Sequence, residues 1–444
     1  MILPMCFTSF DEVTAWLDSF TPPSSTRPGL VRDARLERMR RLLDRLGHPE
    51  ASFRTIHVAG SKGKGSTSRM LSSILSANGL VTGLYLSPHL VDYRERFTLD
   101  GEFFPDSLYL DVASTLREMV DDFRLPEEYG YEKPSTFELY TAYAYLLFKA
   151  ASCQWAVIET GLGGRLDATN TLLSEAAVIT AIELEHTAIL GDTIAKIAYE
   201  KSRIIKPGQK VFCGLLPVEA MAVVRAEAER QGARLYSLAD ELASLETHTT
   251  KKGEECRIAF ADGGTFTLSL AMRGEVQARN AALAVLTART LGFTVHRAAL
   301  EGATLPGRFE LVRHNGCDIV LDVCHTRVSM AHTVSSFKAL YPDKATRCCI
   351  FAAIEGKDIH HMLETLTNAF DRIIISRPDQ AKRSDVEAIW AEAKAMAPAG
   401  CTVTLVKDTR DALCEAEEHG KAILIAGSFY LASLFEEVIH AEQQ

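Results

Sequence analysis

The run Gly60-Ser61-Lys62-Gly63-Lys64-Gly65-Ser66-Thr67 lies between a short apolar stretch and an amphipathic one, and its residue types are those of a phosphate cradle. Glycines let backbone N–H groups turn toward an anion without a Cβ in the way. The positive end of a following helix adds potential, and a lysine neutralises phosphate charge. Gly63, Lys64, Gly65 and Ser66 are therefore the candidate phosphate contacts, with Lys64 the residue most able to stabilise a transferring phosphoryl group. The spacing departs from the general P-loop pattern, because Gly65 separates Lys64 from Ser66. In another context the same octapeptide would be a flexible basic loop.

A carboxylate follows. Glu159 ends the apolar run that starts at Trp155 and opens the segment Glu159-Thr160-Gly161-Leu162-Gly163-Gly164-Arg165-Leu166-Asp167-Ala168-Thr169-Asn170. A carboxylate at the carboxyl end of a strand lies on the rim where α/β sheets bind ligands, and Mg²⁺ takes one or two carboxylates with phosphate oxygens and water. Glu159 is thus a candidate magnesium ligand, although glycines alone would also suit a tight turn with Glu159 in solvent. Taken alone, Ser87-Pro88-His89-Leu90 indicates only a strand-to-loop transition, and His186, after Glu185, reads as a structural histidine.

These groups need a frame. From about residue 54 short apolar runs alternate with longer amphipathic segments, the pattern of β-α repeats building a mainly parallel sheet covered by helices, so the fold class is α/β. Strands are expected at Thr55–Ala59, Val81–Leu86, Trp155–Glu159, Ala177–Ile182 and Lys210–Cys213, with helices at Lys64–Asn78 and Gln277–Leu291. Cys256–Phe260 and Thr265–Leu270 flank Asp262-Gly263-Gly264 as an antiparallel hairpin. Leu305-Pro306-Gly307-Arg308 breaks the pattern, and a second series follows through Ile319–Leu321, Cys349–Ala352, Ile373–Ile375 and Ala422–Ile425. The expected domains are therefore 1–305 and 306–444.

Composition narrows the class. The chain has 444 residues, 47% hydrophobic and 24% charged, with a net charge of −10, so bulk attraction to nucleic acid or anionic membrane is not expected and any anion site is local. The ten cysteines form no C-x-x-C pair or zinc-finger spacing, which fits reduced thiols in a cytoplasmic protein. Met1 to Phe10 is apolar, but no Lys or Arg precedes it and Asp11 and Glu12 follow, unlike a secretory signal. Leu139 to Ser152, broken by Lys149, falls short of the ~20 apolar residues of a spanning helix.

From the phosphate loop onward the chain resembles the Mur ligase superfamily, and within it the folylpolyglutamate synthase and dihydrofolate synthase family. The family loop usually reads G-T-N-G-K-G-S/T; Ser61 and Lys62 stand here for Thr and Asn. The resemblance implies a P-loop ATPase-like N-terminal domain and a smaller Rossmann-like C-terminal domain. It also implies ATP as co-substrate with Mg²⁺, Ser87, Glu159 and His186 as metal ligands, and Lys201 carbamylated by CO₂ so that a cation becomes an anion able to support the metal. The family usually has Asp before that histidine and Ala-Gly after that lysine, where this chain has Glu185 and Ser202-Arg203. Asn280, in Arg279-Asn280-Ala281, falls where an asparagine contacts adenine, and Arg308, in Gly307-Arg308-Phe309-Glu310, where an arginine reaches ATP phosphates. Asp322 and His325, in Leu321-Asp322-Val323-Cys324-His325-Thr326, fall in the family's L-D-G-A-H-N run and are carried over as ATP contacts. Lys357-Asp358 and Gly427-Ser428-Phe429-Tyr430-Leu431 extend the likeness toward the carboxyl end.

The same resemblance implies an acceptor site built from Ser135, Thr136, Phe137 and Glu138 and from Leu166, Asp167 and Ala168, with Arg35 where glycine is common. The expected reaction is phosphorylation of a substrate carboxylate by ATP, then attack of the glutamate amino group on the acyl phosphate, in a cytoplasmic monomer. The acceptor is a reduced folate, dihydropteroate or both. A cell-wall precursor ligase using the same chemistry, and a nucleotide-binding regulatory protein without ligase activity, are the alternatives.

Overall fold

The computed structural model describes residues 6–21, 28–378 and 383–443; Met1–Met5 of the apolar N-terminal stretch lie outside the described residues. The strands are β1 (Arg54–Ala59), β2 (Thr82–Tyr85), β3 (Phe97–Leu99), β4 (Glu102–Phe103), β5 (Trp155–Glu159), β6 (Ala176–Ile179), β7 (Lys210–Cys213), β8 (Arg234–Ser237), β9 (Leu242–Thr250), β10 (Gly253–Phe260), β11 (Thr265–Leu270), β12 (Glu310–His314), β13 (Cys317–Asp322), β14 (Arg347–Phe351), β15 (Arg372–Ile375), β16 (Thr402–Leu405) and β17 (Ala422–Ala426).

The first sheet runs β4-β3-β2-β5-β1-β6-β7-β8 and is parallel except where β3 pairs with β2 and β4. Its middle strands β1, β5 and β6 are buried almost throughout, the run of apolar residues that a parallel sheet needs when helices cover both faces. One face packs on the helices Thr136–Ala150, Asp106–Val120 and Phe10–Asp18 through Tyr143, Leu147, Leu116 and Leu17. The opposite face packs on Lys64–Ala77, Glu275–Leu291 and the antiparallel sheet β11-β10-β9 through Ile74, Leu283 and Ile258. The stretch from Leu139 lies inside the buried helix Thr136–Ala150, and no described helix is long and apolar enough to cross a membrane.

A second sheet, β12-β13-β17-β14-β15-β16, is parallel except for the β12–β13 pair. Strand order places the chemistry. β5 and β6 flank β1, with Val58 opposite Glu159, so the loop after β1 emerges beside that carboxylate at the carboxyl edge of the sheet. Open α/β sheets bind ligands where the order of connection reverses in this way.

Candidate active site

The phosphate loop is pinned from below. Ser61 donates its N–H to the Ala181 carbonyl at 2.7 Å, its hydroxyl donates to the Glu183 carbonyl at 3.2 Å, and the Thr180 hydroxyl donates to the Lys62 carbonyl at 2.6 Å. Gly63 then takes a left-handed φ of 80° as the residue before the helix Lys64–Ala77. A Cβ at Gly63 would lie 2.4 Å from Asn280 Oδ1, so glycine is required both by conformation and by the close approach of Asn280. Asn280 is thereby held over the loop, and its amide donates to Gln277 Oε1 at 3.0 Å.

Lys64 Nζ lies 3.8 Å from Glu159 Oε1, with Glu159 only 6% exposed. Burial raises the Glu159 pKa, opposed by Lys64 and by the N–H of Ser87, which donates to Oε2 at 3.1 Å. The Ser87 hydroxyl is buried with no hydrogen-bond partner. A buried carboxylate that gains from a positive neighbour, next to an orphaned hydroxyl oxygen, suits a small hard cation. Among the described residues no three His, Cys, Asp or Glu side chains converge to hold a metal, so the remaining oxygens have to come from a phosphate and water, as Mg²⁺ prefers.

Lys201 is 1% exposed; its ammonium donates to Glu185 Oε1 at 2.9 Å and to the Gly60 carbonyl at 2.8 Å. Burial lowers its pKa to about 8, although Glu185 pulls the other way. Burial would raise the Glu185 pKa, but Lys201 and Lys64 outweigh it and hold the carboxyl below the usual value. His186 lies on the rim of the same cleft with a left-handed φ of 46°. Withdrawal from bulk water lowers its pKa, with Glu185 opposing and Lys357, Lys201 and Lys64 contributing.

The far wall comes from the second sheet. Arg308 stacks over Phe429 at 5.2 Å from the ring centre, and burial lowers its pKa while Asp322 and Glu159 act against that shift. Asp322 does not face a ligand freely: one oxygen accepts from Phe309 N at 2.8 Å, the other from Cys324 N at 2.8 Å and the Thr333 hydroxyl at 3.1 Å. Its carboxylate shapes the loop that carries His325. The His325 ring bonds the Val323 carbonyl through Nδ1 at 2.9 Å and meets Lys62 Nζ through Nε2 at 3.3 Å. The cleft holds about 610 Å³ and gathers Gly63, Lys64, Gly65, Ser66, Ser87, Glu159, His186, Asn280, Arg308, Asp322 and His325.

The acceptor residues divide. Phe137, half-buried, packs on Gly161, where a Cβ would lie 2.4 Å from its ring, and Tyr85 is 6.4 Å away centre to centre. Thr136 is half-buried, 3.3 Å from the Thr21 hydroxyl, and Leu166 is half-buried. Ser135 and Glu138 instead form a capping box that starts the helix, and both Glu138 oxygens also take the Arg38 guanidinium at 3.0 Å. Asp167 is buried, accepting from the N–H groups of Leu162 and Thr169 and from the Thr169 hydroxyl, while Ala168 is buried behind it. Ser135, Glu138 and Asp167 are therefore committed to helix-capping and loop hydrogen bonds, Phe137 and Leu166 are half-buried, and none of the five lines the cleft that gathers Lys64 and Glu159.

Two groups have members that received no role from the sequence. The His89 ring lies 3.9 Å from that of Tyr93, tilted by 38°, and accepts from Arg96 Nε at 2.8 Å, while Tyr93 and Tyr140 both donate to Asp18. In the cleft itself, Glu183 and Arg273 join the lining. Asp18 and Tyr140 lie far in sequence from residues 89–96, and Glu183 far from Arg273, so spacing alone does not mark either group.

Residues 58–288 match the family described as Mur ligase middle domain, and residues 307–429 match Mur ligase, glutamate ligase domain. The chain is 32% identical to the dihydrofolate synthase/folylpolyglutamate synthase of Bacillus subtilis over 82% of this chain and 84% of that protein. The crystal structure of folylpolyglutamate synthase from Thermotoga maritima superposes with a TM-score of 0.83 at 29% identity, covering 98% of this chain and 97% of that one. E. coli FolC in complex with DHPP and ADP superposes with a TM-score of 0.80 at 26% identity, covering 98% and 99%. By domain content, sequence and fold, the chain belongs to the folylpolyglutamate synthase/dihydrofolate synthase family of the Mur ligase superfamily.

Proposed function

We propose that this chain is an ATP-dependent ligase that joins L-glutamate to a carboxylate of a reduced folate and, in the same site, to dihydropteroate. The observation that carries the reading is the meeting of Lys64, Glu159 and Ser87 from one sheet with Arg308 from the other in a single cleft. The relatives support the choice of substrates: the B. subtilis protein is named for both activities, and the E. coli complex holds DHPP with ADP.

In the first step an acceptor carboxylate oxygen takes the γ-phosphoryl group and ADP leaves. In the second the glutamate nitrogen attacks the acyl carbon, loses a proton, and inorganic phosphate departs. Lys64 and Arg308 both line the cleft beside Glu159 and offset the charge of the transferring group. Backbone N–H groups from Gly63 to Ser66 hold the phosphates at the positive end of the helix Lys64–Ala77. Asn280 lies over the loop at the nucleotide end, and Phe137 and Leu166 offer apolar surface to the acceptor ring. Glu159 and Ser87 would hold Mg²⁺, with His186 on the rim; the ion, when bound, offsets phosphate charge. Asp322 and His325 act from the second domain, and the hinge between domains falls at residues 305–306. Closure there excludes water that would hydrolyse the acyl phosphate.

Carbamylation of Lys201 belongs to this reading. CO₂ adds to a neutral amine, and burial with a pKa of about 8 leaves more of that form near neutrality than an exposed lysine has. The modification requires Nζ to leave Glu185 and the Gly60 carbonyl, so intact-mass measurement with and without bicarbonate tests it. A cytoplasmic monomer completes the proposal; all ten cysteines are free thiols.

The test supplies ATP, Mg²⁺ and glutamate with tetrahydrofolate, dihydropteroate or a uridine-nucleotide peptide, and reads products by mass spectrometry. Glutamyl products from the first two acceptors are expected. Product from the third alone would reassign the chain to cell-wall chemistry, and bound ATP without any amide would indicate a regulatory protein.

A further inference from the structure

Lys62 shares the phosphate loop with Lys64, yet its side chain crosses the cleft instead of lining the loop. Nζ is 3.3 Å from Nε2 of His325, a residue 263 positions later in the second domain. The direction of this bond follows from the other side of the ring. His325 Nδ1 is 2.9 Å from the Val323 carbonyl, which can only accept, so Nδ1 carries the proton and Nε2 presents a lone pair to the Lys62 ammonium. A protonated ring would point an N–H at that ammonium, so the contact selects the neutral imidazole.

Both ends of the contact are fixed. Thr180 holds the Lys62 carbonyl, and Ser61 bonds in both directions with Glu183. On the other side Asp322 gathers Phe309, Cys324 and Thr333 around the loop, and the His325 ring lies 6.0 Å from Phe429. Glu183 and Glu185 face Lys62 and balance its charge, with Lys64 and Lys357 nearby. The bond therefore joins two braced loops, one from each sheet, at the mouth of the phosphate site.

We propose that Lys62 is a positioning residue that latches the second domain onto the phosphate loop, holding His325 neutral and the cleft closed while the acyl phosphate awaits the amine. The proposal rests on the ligase reading for its consequence, not for the contact itself. Without the latch the cleft opens more often, water enters, and ATP is consumed without amide formation.

The experiment compares wild type with Lys62→Met, Lys62→Arg, His325→Gln and the pair Lys62→Met/His325→Gln. It measures phosphate released per amide formed, and hydrogen exchange of residues 323–326 with a non-hydrolysable ATP analogue bound. Losing one charged hydrogen bond predicts about a tenfold rise in phosphate per amide in Lys62→Met and faster exchange at 323–326. Lys62→Arg restores most of the coupling, and the double variant is no worse than His325→Gln alone. Unchanged exchange in Lys62→Met overturns the latch whatever happens to activity. So does weakened nucleotide binding with intact coupling, which would make Lys62 a phosphate contact. Should Lys62→Met fail to fold, Lys62→Gln, which keeps a donor without charge, gives the same two readouts. Failure of wild type to form any amide would remove the ligase reading, while exchange would still decide whether the latch exists.

Discussion

Lys64 and Glu159 were legible at the level of single residues because their neighbours in sequence impose the chemistry: glycines before a helix, and a carboxylate ending an apolar strand. Lys64→Ala is expected to lower kcat by about 10²–10³-fold with unchanged circular dichroism, as removal of one preorganised charge-stabilising donor does. Ser87→Ala removes the orphaned hydroxyl oxygen beside Glu159. It should raise the Mg²⁺ concentration for half-maximal rate by about tenfold, read by titration against EDTA-treated enzyme. Ser135, Glu138 and Asp167 were less legible. Carboxylates and hydroxyls that could bind a pterin are also the side chains that cap helices, and only their partners, Arg38 for Glu138 and Thr169 for Asp167, show which work they do.

At the scale of elements, the strands covered on both faces could be read with little error: Trp155–Glu159 and Lys210–Cys213 coincide with β5 and β7. The run expected at Ala177–Ile182 stops as β6 at Ile179 because Thr180 and Ala181 turn to brace the phosphate loop. β9 was missed. Its sequence, Leu242 to Thr250, has a mostly exposed, polar pattern with little periodic burial, and pairing with β10 holds it as a strand. The two-residue β4 is likewise defined by its neighbour β3. The capping box at Ser135 makes a prediction of its own. Arg38 is 0% exposed and forks onto Glu138, so Arg38→Met leaves a buried carboxylate unpaired and should cost about 3–5 kcal/mol of stability. Denaturant titration would show it, with nucleotide affinity unchanged because neither residue lines the cleft.

For the whole molecule, the sequence showed two strand-helix series but not how they face one another, since the contacts between them join residues 67 to 263 positions apart. The Lys62–His325 bond and the ion pair from Lys251 on the β9–β10 turn to Asp318 of β13 have no local signature. Folding also sets a pH response. His57, inside β1 and 2.8 Å from the Thr169 hydroxyl, has its pKa lowered by burial from 6.5 to about 3. The unfolded chain binds a proton there below about pH 6.5 that the folded chain refuses until about pH 3. Stability therefore falls as pH drops through that window. His57→Gln should flatten part of that fall in unfolding curves taken between pH 7 and 4.

The most direct measurement follows oxygen. With the acceptor carboxylate labelled with ¹⁸O and ATP unlabelled, an acyl phosphate carries one acceptor oxygen into the inorganic phosphate released as the amide forms. One ¹⁸O per phosphate is expected in step with glutamyl product, both forming about 10²–10³-fold more slowly in Lys64→Ala. Unlabelled phosphate accompanying amide formation, or labelled amide without phosphate release, would contradict it.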